Sequence, residues 1–184
     1  MLLCEHPHTY TLGKNGKKSN LLIDQAKLQQ LEAQFYQINR GGDITYHGPG
    51  QLVGYPILDL EHFFTDVHRY LRLLEEVFIK VMAFYNLKGE RSNTETGVWL
   101  DVGTPKARKI LALGLRASRW VTMHGWAFNV NTNLSYFNHI VPCGIANKKV
   151  TSLAQEVGHH VPMQEVADKT KLYFEELFEV KPIS

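Results

Sequence analysis

The 184-residue sequence has few cysteines and no apolar run long enough to cross a membrane. Cys4 and Cys143 are too few for a disulfide framework, so we expect a reducing, cytoplasmic location. No window approaches the roughly 20 apolar residues of a membrane span, which argues against a membrane protein. The chain also lacks internal repeats, low-complexity tracts and flexible linkers, which predicts a single domain over residues 1–184.

Acidic residues are missing from one long stretch. No Asp or Glu lies between Asp101 and Glu156, whereas the same stretch holds Lys106, Arg108, Lys109, Arg116, Arg119, Lys148 and Lys149. Because the whole chain has a net charge of only +2, the remainder is net negative. One interpretation is a positive surface that attracts an acidic partner; the other is scattered, solvated side chains on different faces.

The hydrophobic pattern predicts more strands than helices. Apolar residues at helical spacing predict helices over residues 65–85 and 163–178, and shorter helices are expected over 24–33 and 152–157. Strands are predicted over residues 2–4, 9–13, 35–39, 51–60, 95–100, 109–119 and 121–130. Since the helices lie apart in sequence, we expect an α+β fold with helices packed on a mixed β-sheet.

The stretch from Arg40 to Gln51 is the densest candidate for a binding site. Five of its twelve residues are Gly or Pro, and its polar side chains can form hydrogen bonds. Glycine lets a ligand approach the backbone closely and leaves N–H groups as donors. A structural turn between two strands is the alternative, although a turn needs only two to four such residues. The stretch matches neither the phosphate loop nor the dinucleotide fingerprint.

Two further side chains are candidates for chemistry. Cys143 lies between Pro142 and Gly144 in the stretch without acids, where positive charge lowers the pKa of a thiol. Cys4 is the weaker nucleophile because it follows Glu5. Lys109 precedes an apolar run, and a partly buried lysine can pair with a thiolate or act as a base. The nine histidines show no helical metal-ligand spacing, so we expect no metal site.

Several motifs, taken in order, resemble the lipoyl(octanoyl) transferase family. They are Arg40-Gly-Gly-Asp-Ile-Thr-Tyr-His-Gly-Pro-Gly-Gln-Leu-Val-Gly-Tyr-Pro56, Lys109-Ile110, Ser118-Arg-Trp-Val-Thr-Met-His-Gly125, Asn129-Val130, Ile140-Val-Pro-Cys-Gly144 and Val150-Thr-Ser-Leu153. The resemblance covers residues from about Glu5 to Leu153. It implies the catalytic fold of the biotin and lipoate protein ligases.

The resemblance also implies an activity. Such enzymes take an octanoyl (or lipoyl) group from acyl carrier protein and pass it to a specific lysine on lipoyl domains of 2-oxoacid dehydrogenases and on the glycine cleavage H protein. The family's nucleophile maps to Cys143 and the lysine that lowers its pKa maps to Lys109. Its acyl-binding positions map to Arg40, Gly41, Gly42, Asp43, Ile44, Thr45, Tyr46 and His47, to Ala112, Leu113 and Gly114, and to Gly125, Trp126 and Ala127.

The chemistry suits these residues. A thiolate both attacks and leaves well, so Cys143 can form a thioester acyl-enzyme that the acceptor lysine then cleaves, with Lys109 as the base. Amide formation from a thioester runs downhill, so we expect no ATP, metal or other cofactor. We also expect a monomer that binds neither nucleic acid nor membrane, and acidic protein partners for the positive stretch.

The sequence departs from the family pattern at three places. Family members usually carry a segment before the motif that starts here at Leu3, so either the start is truncated or a sheet element is lacking. Trp126 replaces a smaller apolar residue, which predicts a shorter acyl pocket. Leu111 replaces a small residue beside Lys109, a lesser change.

Two other functions are compatible with parts of the pattern. An ATP-dependent lipoate or biotin ligase shares the fold but needs ATP and does not need Cys143. A non-catalytic protein that only docks lipoyl domains would need neither Cys143 nor Lys109. The presence of both residues favours the transferase.

Overall fold

The computed structural model describes residues 1–141 and 149–181, which form ten β-strands and four α-helices. The strands are β1 (Leu2–Cys4), β2 (Thr9–Leu12), β3 (Gln34–Gln37), β4 (Ile44–His47), β5 (Gln51–Tyr55), β6 (Glu90–Arg91), β7 (Val98–Leu100), β8 (Arg108–Ser118), β9 (Val121–Asn129) and β10 (Lys149–Val150). The helices are α1 (Gln25–Gln30), α2 (Val67–Phe84), α3 (Leu153–Val157) and α4 (Met163–Phe178).

Two sheets organise the chain. The larger has seven strands in the order β1-β5-β9-β8-β7-β6, with β10 added in parallel beside the start of β8. The smaller has the order β3-β2-β4, in which β2 runs parallel to β3 and antiparallel to β4. The predicted α+β fold with a mixed sheet is therefore confirmed.

The main core lies between the larger sheet and helices α2 and α4. On α2, Phe78 places its ring 4.5 Å from the Trp126 ring and 5.0 Å from the Phe128 ring, measured between centroids. Both partners lie on β9, two residues apart, and therefore point to the same face of the sheet. Phe174 and Phe178 of α4 belong to the same buried cluster. Burial of these large apolar side chains supplies the main driving force for folding.

The smaller sheet has its own core. Tyr10 of β2 and Tyr46 of β4 are fully buried and pack with Leu28 of α1 and with Ile140. Their neighbours along the strands, Thr9, Thr11, Thr45 and His47, point to the opposite face, towards the larger sheet. The alternation of apolar and polar residues therefore leaves a polar layer between the two sheets.

Most predicted elements are found within a few residues of their expected bounds, and two regions differ from the prediction. The strand predicted over residues 51–60 ends at Tyr55, because Pro56 has no N–H to donate to the sheet. The stretch Arg40–Gln51, for which only a Gly-rich binding segment or a turn is predicted, contains strand β4. In this strand buried residues, Ile44 and Tyr46, alternate with less buried ones. The alternation is too short to stand out among the surrounding glycines.

Within the part of the chain that the structure describes, no helix is both long enough and apolar enough to cross a membrane.

Gly54 is a tightly packed position of the main core, where no side chain fits. The indole of Trp126 lies directly over Gly54, and a Cβ atom added at Gly54 would sit 2.1 Å from its Cζ2 atom. We expect Gly54→Ala to destabilise the fold by about 1–3 kcal/mol, because the buried indole has to move. Urea unfolding measures the change in the free energy of unfolding. Gly103→Ala does not serve as a control, because Gly103 has a φ of +80°, which strains an alanine. In a Trp126→Leu background, where the smaller side chain leaves room for the methyl group, Gly54→Ala should cost much less stability than in the parent chain. An equal cost in the two backgrounds would contradict the cause.

Candidate functional site

A cavity of about 450 Å³ lies between the two sheets. Its size is within the range of small-molecule sites in proteins. The smaller sheet contributes Thr9, Thr11, Thr45 and His47, and the larger sheet contributes residues of β5, β7, β8 and β9. The cavity thus lies on the face of the larger sheet opposite to α2 and α4.

Small residues of β8 and β9 form the floor of the cavity. Ala112 pairs with Ala127, and Gly114 pairs with Gly125, so four adjacent positions on this face carry at most a methyl group. The intervening pair, Leu113 and Trp126, points to the other face, because side chains alternate along a strand. The small residues leave the space that an elongated apolar ligand would fill.

A β-bulge in β8 decides which face carries Lys109. On β7, the adjacent residues Val98 and Trp99 pair with Leu111 and Lys109, so that Ile110 is an extra residue. Without it, Lys109 would share the face of Leu111, which is fully buried in the main core. The extra residue shifts the alternation by one and turns Lys109 into the cavity.

Polar and aromatic groups hold the Lys109 side chain, which is only 20% exposed. Its Nζ lies 3.4 Å from Oε2 of Glu95, whose side chain is also 20% exposed. The same Nζ lies 4.6 Å from the centre of the Trp99 ring, a cation–π distance. The ammonium group is therefore placed at a defined point in the cavity wall.

Arg40 lies in the wall contributed by the smaller sheet and is buried. Its NH2 group donates to the Thr11 carbonyl over 2.7 Å and its NH1 group donates to the Gly41 carbonyl over 2.9 Å. These bonds hold the guanidinium against two backbone carbonyls at the cavity wall, where it brings positive charge. Asp43, nearby in sequence, accepts from Asn20 Nδ2 over 2.7 Å.

His47 belongs to a chain of buried hydrogen bonds that joins the two sheets. Its Nδ1–H donates to Gln51 Oε1 over 2.9 Å, and Gln51 Nε2 donates to Asn129 Oδ1 over 2.9 Å. Asn129 Nδ2 then donates to the Thr151 carbonyl over 3.0 Å. The network fixes the tautomer of His47 and leaves its Nε2 facing Thr11 Oγ1 at 3.5 Å.

Burial lowers the pKa of His47 from its usual 6.5 to about 4, with a further contribution from the charge of Arg40. His47 is thus neutral at physiological pH. Since its ring serves as a fixed hydrogen-bonding group, it joins the smaller sheet to Gln51 rather than carrying charge.

This shift predicts acid sensitivity. Between pH 6.5 and 4 the unfolded chain binds a proton at His47 that the folded protein does not, so stability falls as the pH falls through this window. We expect His47→Gln to remove the contribution of His47 to this loss of stability. The free energy of unfolding should then depend less steeply on pH, by up to about 1.4 kcal/mol per pH unit. Urea unfolding at several pH values measures it. The exposed His62→Gln should keep the parent slope; a parent slope in His47→Gln as well would refute the assignment.

The structure brings most of the described site residues together. Lys109, Arg40, Asp43, Ile44, Thr45, His47, Ala112, Gly114, Gly125 and Ala127 line the cavity. Leu113 and Trp126 border it, but their side chains point to the main core. Gly41, Gly42 and Tyr46 do not line it; the Tyr46 hydroxyl instead bonds His8 Nδ1 over 2.7 Å in the smaller core. Cys143 lies outside the described residues, so its distance from Lys109 stays open.

Two details of the sequence interpretation change. The indole of Trp126 packs in the main core against Phe78, so the bulk expected to shorten the pocket lies on the far side of the sheet. Glu95 and Trp99 also line the cavity, although neither is predicted from the sequence. No pattern marks Glu95, which is a single acid in a run of Ser, Asn and Thr.

The positive stretch is not one uniform surface. Arg108 is paired with Asp101 and Glu156, the two acids that bound the stretch. The bond to Arg108 lowers the pKa of Glu156, and Lys109 is paired with Glu95. Arg116 lies near the other end of the β8–β9 hairpin, roughly 25 Å along the strand from Arg108. These placements favour the interpretation of separate side chains on different faces.

The two-sheet architecture and its cavity define an α+β ligand-binding domain, and solved structures share the fold. A bipartite lipoate protein ligase from Thermoplasma acidophilum superposes with a TM-score of 0.76 at 16% identity, covering 99% of this chain and 72% of that one. Lipoate-protein ligase A bound with ATP gives a TM-score of 0.74 at 16% identity, covering 99% and 73%.

Sequence comparison places the chain more narrowly. The model of the lipoyl protein ligase A/B catalytic domain matches residues 1–175. The octanoyltransferase of Christiangramia forsetii is 62% identical over 181 residues, covering 98% of this chain and 77% of that protein. That of Flavobacterium psychrophilum is 63% identical over 179 residues, covering 97% and 77%. The chain belongs to the lipoyl protein ligase A/B catalytic domain family, in the group that contains the octanoyltransferases.

Proposed function

We propose that the chain is an acyltransferase that moves an octanoyl group from acyl carrier protein to a lysine of a lipoyl domain. High identity to octanoyltransferases over nearly the whole chain supports the activity. The observation that carries the structural part is the cavity, which has a floor of small residues and a lysine ammonium in its wall. An extended acyl chain fits such a space, and its thioester carbonyl would lie near Lys109.

The proposed reaction has two steps. In the first, the Cys143 thiolate attacks the octanoyl carbonyl, the bond to the phosphopantetheine sulfur breaks, and the Lys109 ammonium gives its proton to that sulfur. In the second, the amine of the acceptor lysine attacks the acyl-enzyme and the bond to Cys143 breaks. The proton of the attacking amine passes to the now neutral Lys109, which restores the starting state.

Hydrogen-bond donors lower the barrier of both steps. Negative charge collects on the carbonyl oxygen in each tetrahedral intermediate, and donors fixed in advance stabilise it. The Gly41 N–H already donates to the Leu115 carbonyl and the Gly50 N–H to Glu5 Oε2, so these two groups of the Gly-rich stretch do not serve this purpose. The buried guanidinium of Arg40 adds a positive potential without moving.

The second candidate function is an ATP-dependent lipoate ligase, which the shared fold permits. Identity favours the transferase, since the ligase structures are only 16% identical. We propose that neither ATP nor a metal takes part, because a thioester donor already makes amide formation favourable. The cytoplasmic location, the monomeric state and the choice among lipoyl-domain acceptors, including glycine cleavage H protein, stay predictions.

Intact mass measurement tests the covalent step. The protein is incubated with octanoyl-acyl carrier protein in the presence of a chelator and without ATP. We expect one octanoyl adduct that maps to Cys143 and disappears when a lipoyl domain is added. An ATP requirement for octanoyl transfer would overturn the proposal in favour of the ligase.

Cysteine variants supply a matched comparison. Cys143→Ala should lose the adduct and lower transfer by about 10³-fold or more, since a nucleophile and its partner act as a unit. Cys4→Ala should keep both, because burial and Glu5 raise the pKa of the Cys4 thiol. An adduct on Cys4, or transfer that survives Cys143→Ala, would contradict the assigned nucleophile.

A further inference from the structure

A carboxylate beside Lys109 has no place in the two steps described above. Glu95 lies in the segment before β7, and its Oε2 is 3.4 Å from Lys109 Nζ. Both side chains are four-fifths buried in the cavity wall. A contact between two long exposed side chains would be worth little, but screening by water is weaker in a partly buried pair.

The backbone next to Glu95 is anchored in the core. Gly97 N donates over 2.9 Å to Oε1 of Glu75, a fully buried residue of α2. Glu75 also accepts from Arg72 NH1 over 2.7 Å and lies 3.3 Å from Arg91 Nε. A carboxylate that is buried and paired in this way holds its partner firmly. The segment that carries Glu95 is therefore tied to helix α2.

Gly97 also fits closely against the bulge in β8. Its φ is +115°, and a Cβ atom there would lie 2.3 Å from the Leu111 carbonyl oxygen and 3.5 Å from Lys109 Cε. Only glycine permits this approach. The contact sets the separation between the Glu95 segment and Lys109, so the ion pair is built into the fold on both sides.

We propose that Glu95 is a positioning residue, which together with the Trp99 ring holds Lys109 as an ammonium at the reaction point of the cavity. The inference rests on the proposed role of Lys109 in acyl transfer. The carboxylate favours the charged form of the lysine, and the face of the indole does so as well. At rest, Lys109 thus carries the proton that the first step gives to the leaving sulfur.

The negative charge of Glu95 sets the pH range of the site. Other charged or titratable groups in the cavity wall are His6, Arg40, Asp43, His47, Tyr55, His124 and Lys149. Among these, the positive groups oppose the effect of Glu95 on Lys109. Loss of a negative charge lowers the pKa of every nearby group, whether thiol or ammonium, so the whole activity profile should move in one direction.

Chemical labelling tests the pair without turnover. Trace trinitrobenzenesulfonate reacts only with neutral amines, and peptide mass mapping follows the labelling of Lys109 against pH. We expect the midpoint in Glu95→Gln and in Glu95→Ala to fall by about one pH unit. Glu95→Asp, which keeps the charge, should restore most of the parent midpoint. A parent midpoint in a folded charge-removing variant would overturn the proposal.

A matched control and a kinetic readout complete the test. Glu176→Gln removes a carboxylate that pairs with the more exposed Lys80 on the far side of the helices, and it should leave the profile unchanged. In Glu95→Gln, the bell-shaped profile of octanoyl transfer should move to lower pH and kcat should fall several-fold with little change in the KM for the lipoyl domain. A lower rate at an unmoved pH optimum would mean that Glu95 is merely structural.

The two proposals fail separately. If the parent protein transfers no octanoyl group, the proposed function fails, whereas the labelling of Lys109 still decides whether Glu95 holds the ammonium. If transfer occurs and neither profile moves in the charge-removing variants, only the role of Glu95 is lost.

Discussion

Strict alternation of side chains along β8 is the constraint on which the site depends. This strand has to supply Leu111 and Leu113 to the main core and Lys109 to the opposite face. An uninterrupted strand cannot do both, because all three positions are odd-numbered and would share one side. The extra residue Ile110 resolves the conflict. A single inserted backbone unit thus connects the packing of the core to the position of a charged group.

Buried polar contacts then fix the two sheets relative to each other. The chain from His47 through Gln51 to Asn129 crosses from the smaller sheet to the larger and ends on the Thr151 carbonyl. Each donor in it has an acceptor, so it restricts the arrangement without leaving an unsatisfied group. Thr151 N in turn donates to the Lys109 carbonyl over 2.9 Å, which links the network back to β8.

Local signals in the sequence predicted the helices well. The apolar stripe of α2, the Ser152 cap of α3 and Pro162 at the start of α4 are short-range features, and each helix forms within a few residues of its expected bounds. Lys109 was identified as a candidate from the apolar run that follows it, whereas the small residues of the cavity floor were identified only through the family resemblance.

Features that depend on pairing between strands were missed. The bulge at Ile110 exists only relative to β7, and a run of apolar residues looks the same with or without it. Strand β4 was hidden because glycines surround it. The net charge of residues 102–155 does not include Asp101 and Glu156, which lie just outside this stretch and pair with Arg108. Glu95 could not be identified from the sequence, because its partner Lys109 lies 14 positions away.

The two faces of the β8–β9 hairpin divide the demands on its sequence. One face carries Leu113 and Trp126 into the main core, and the other carries Ala112 and Ala127 into the cavity. A larger side chain at Ala112 or Ala127 takes up ligand space, whereas a change at Leu113 or Trp126 disturbs the packing of the main core. Alternate positions of the same two strands therefore control the length of the ligand space and the stability of the fold. Mutation can alter the first while selection preserves the second.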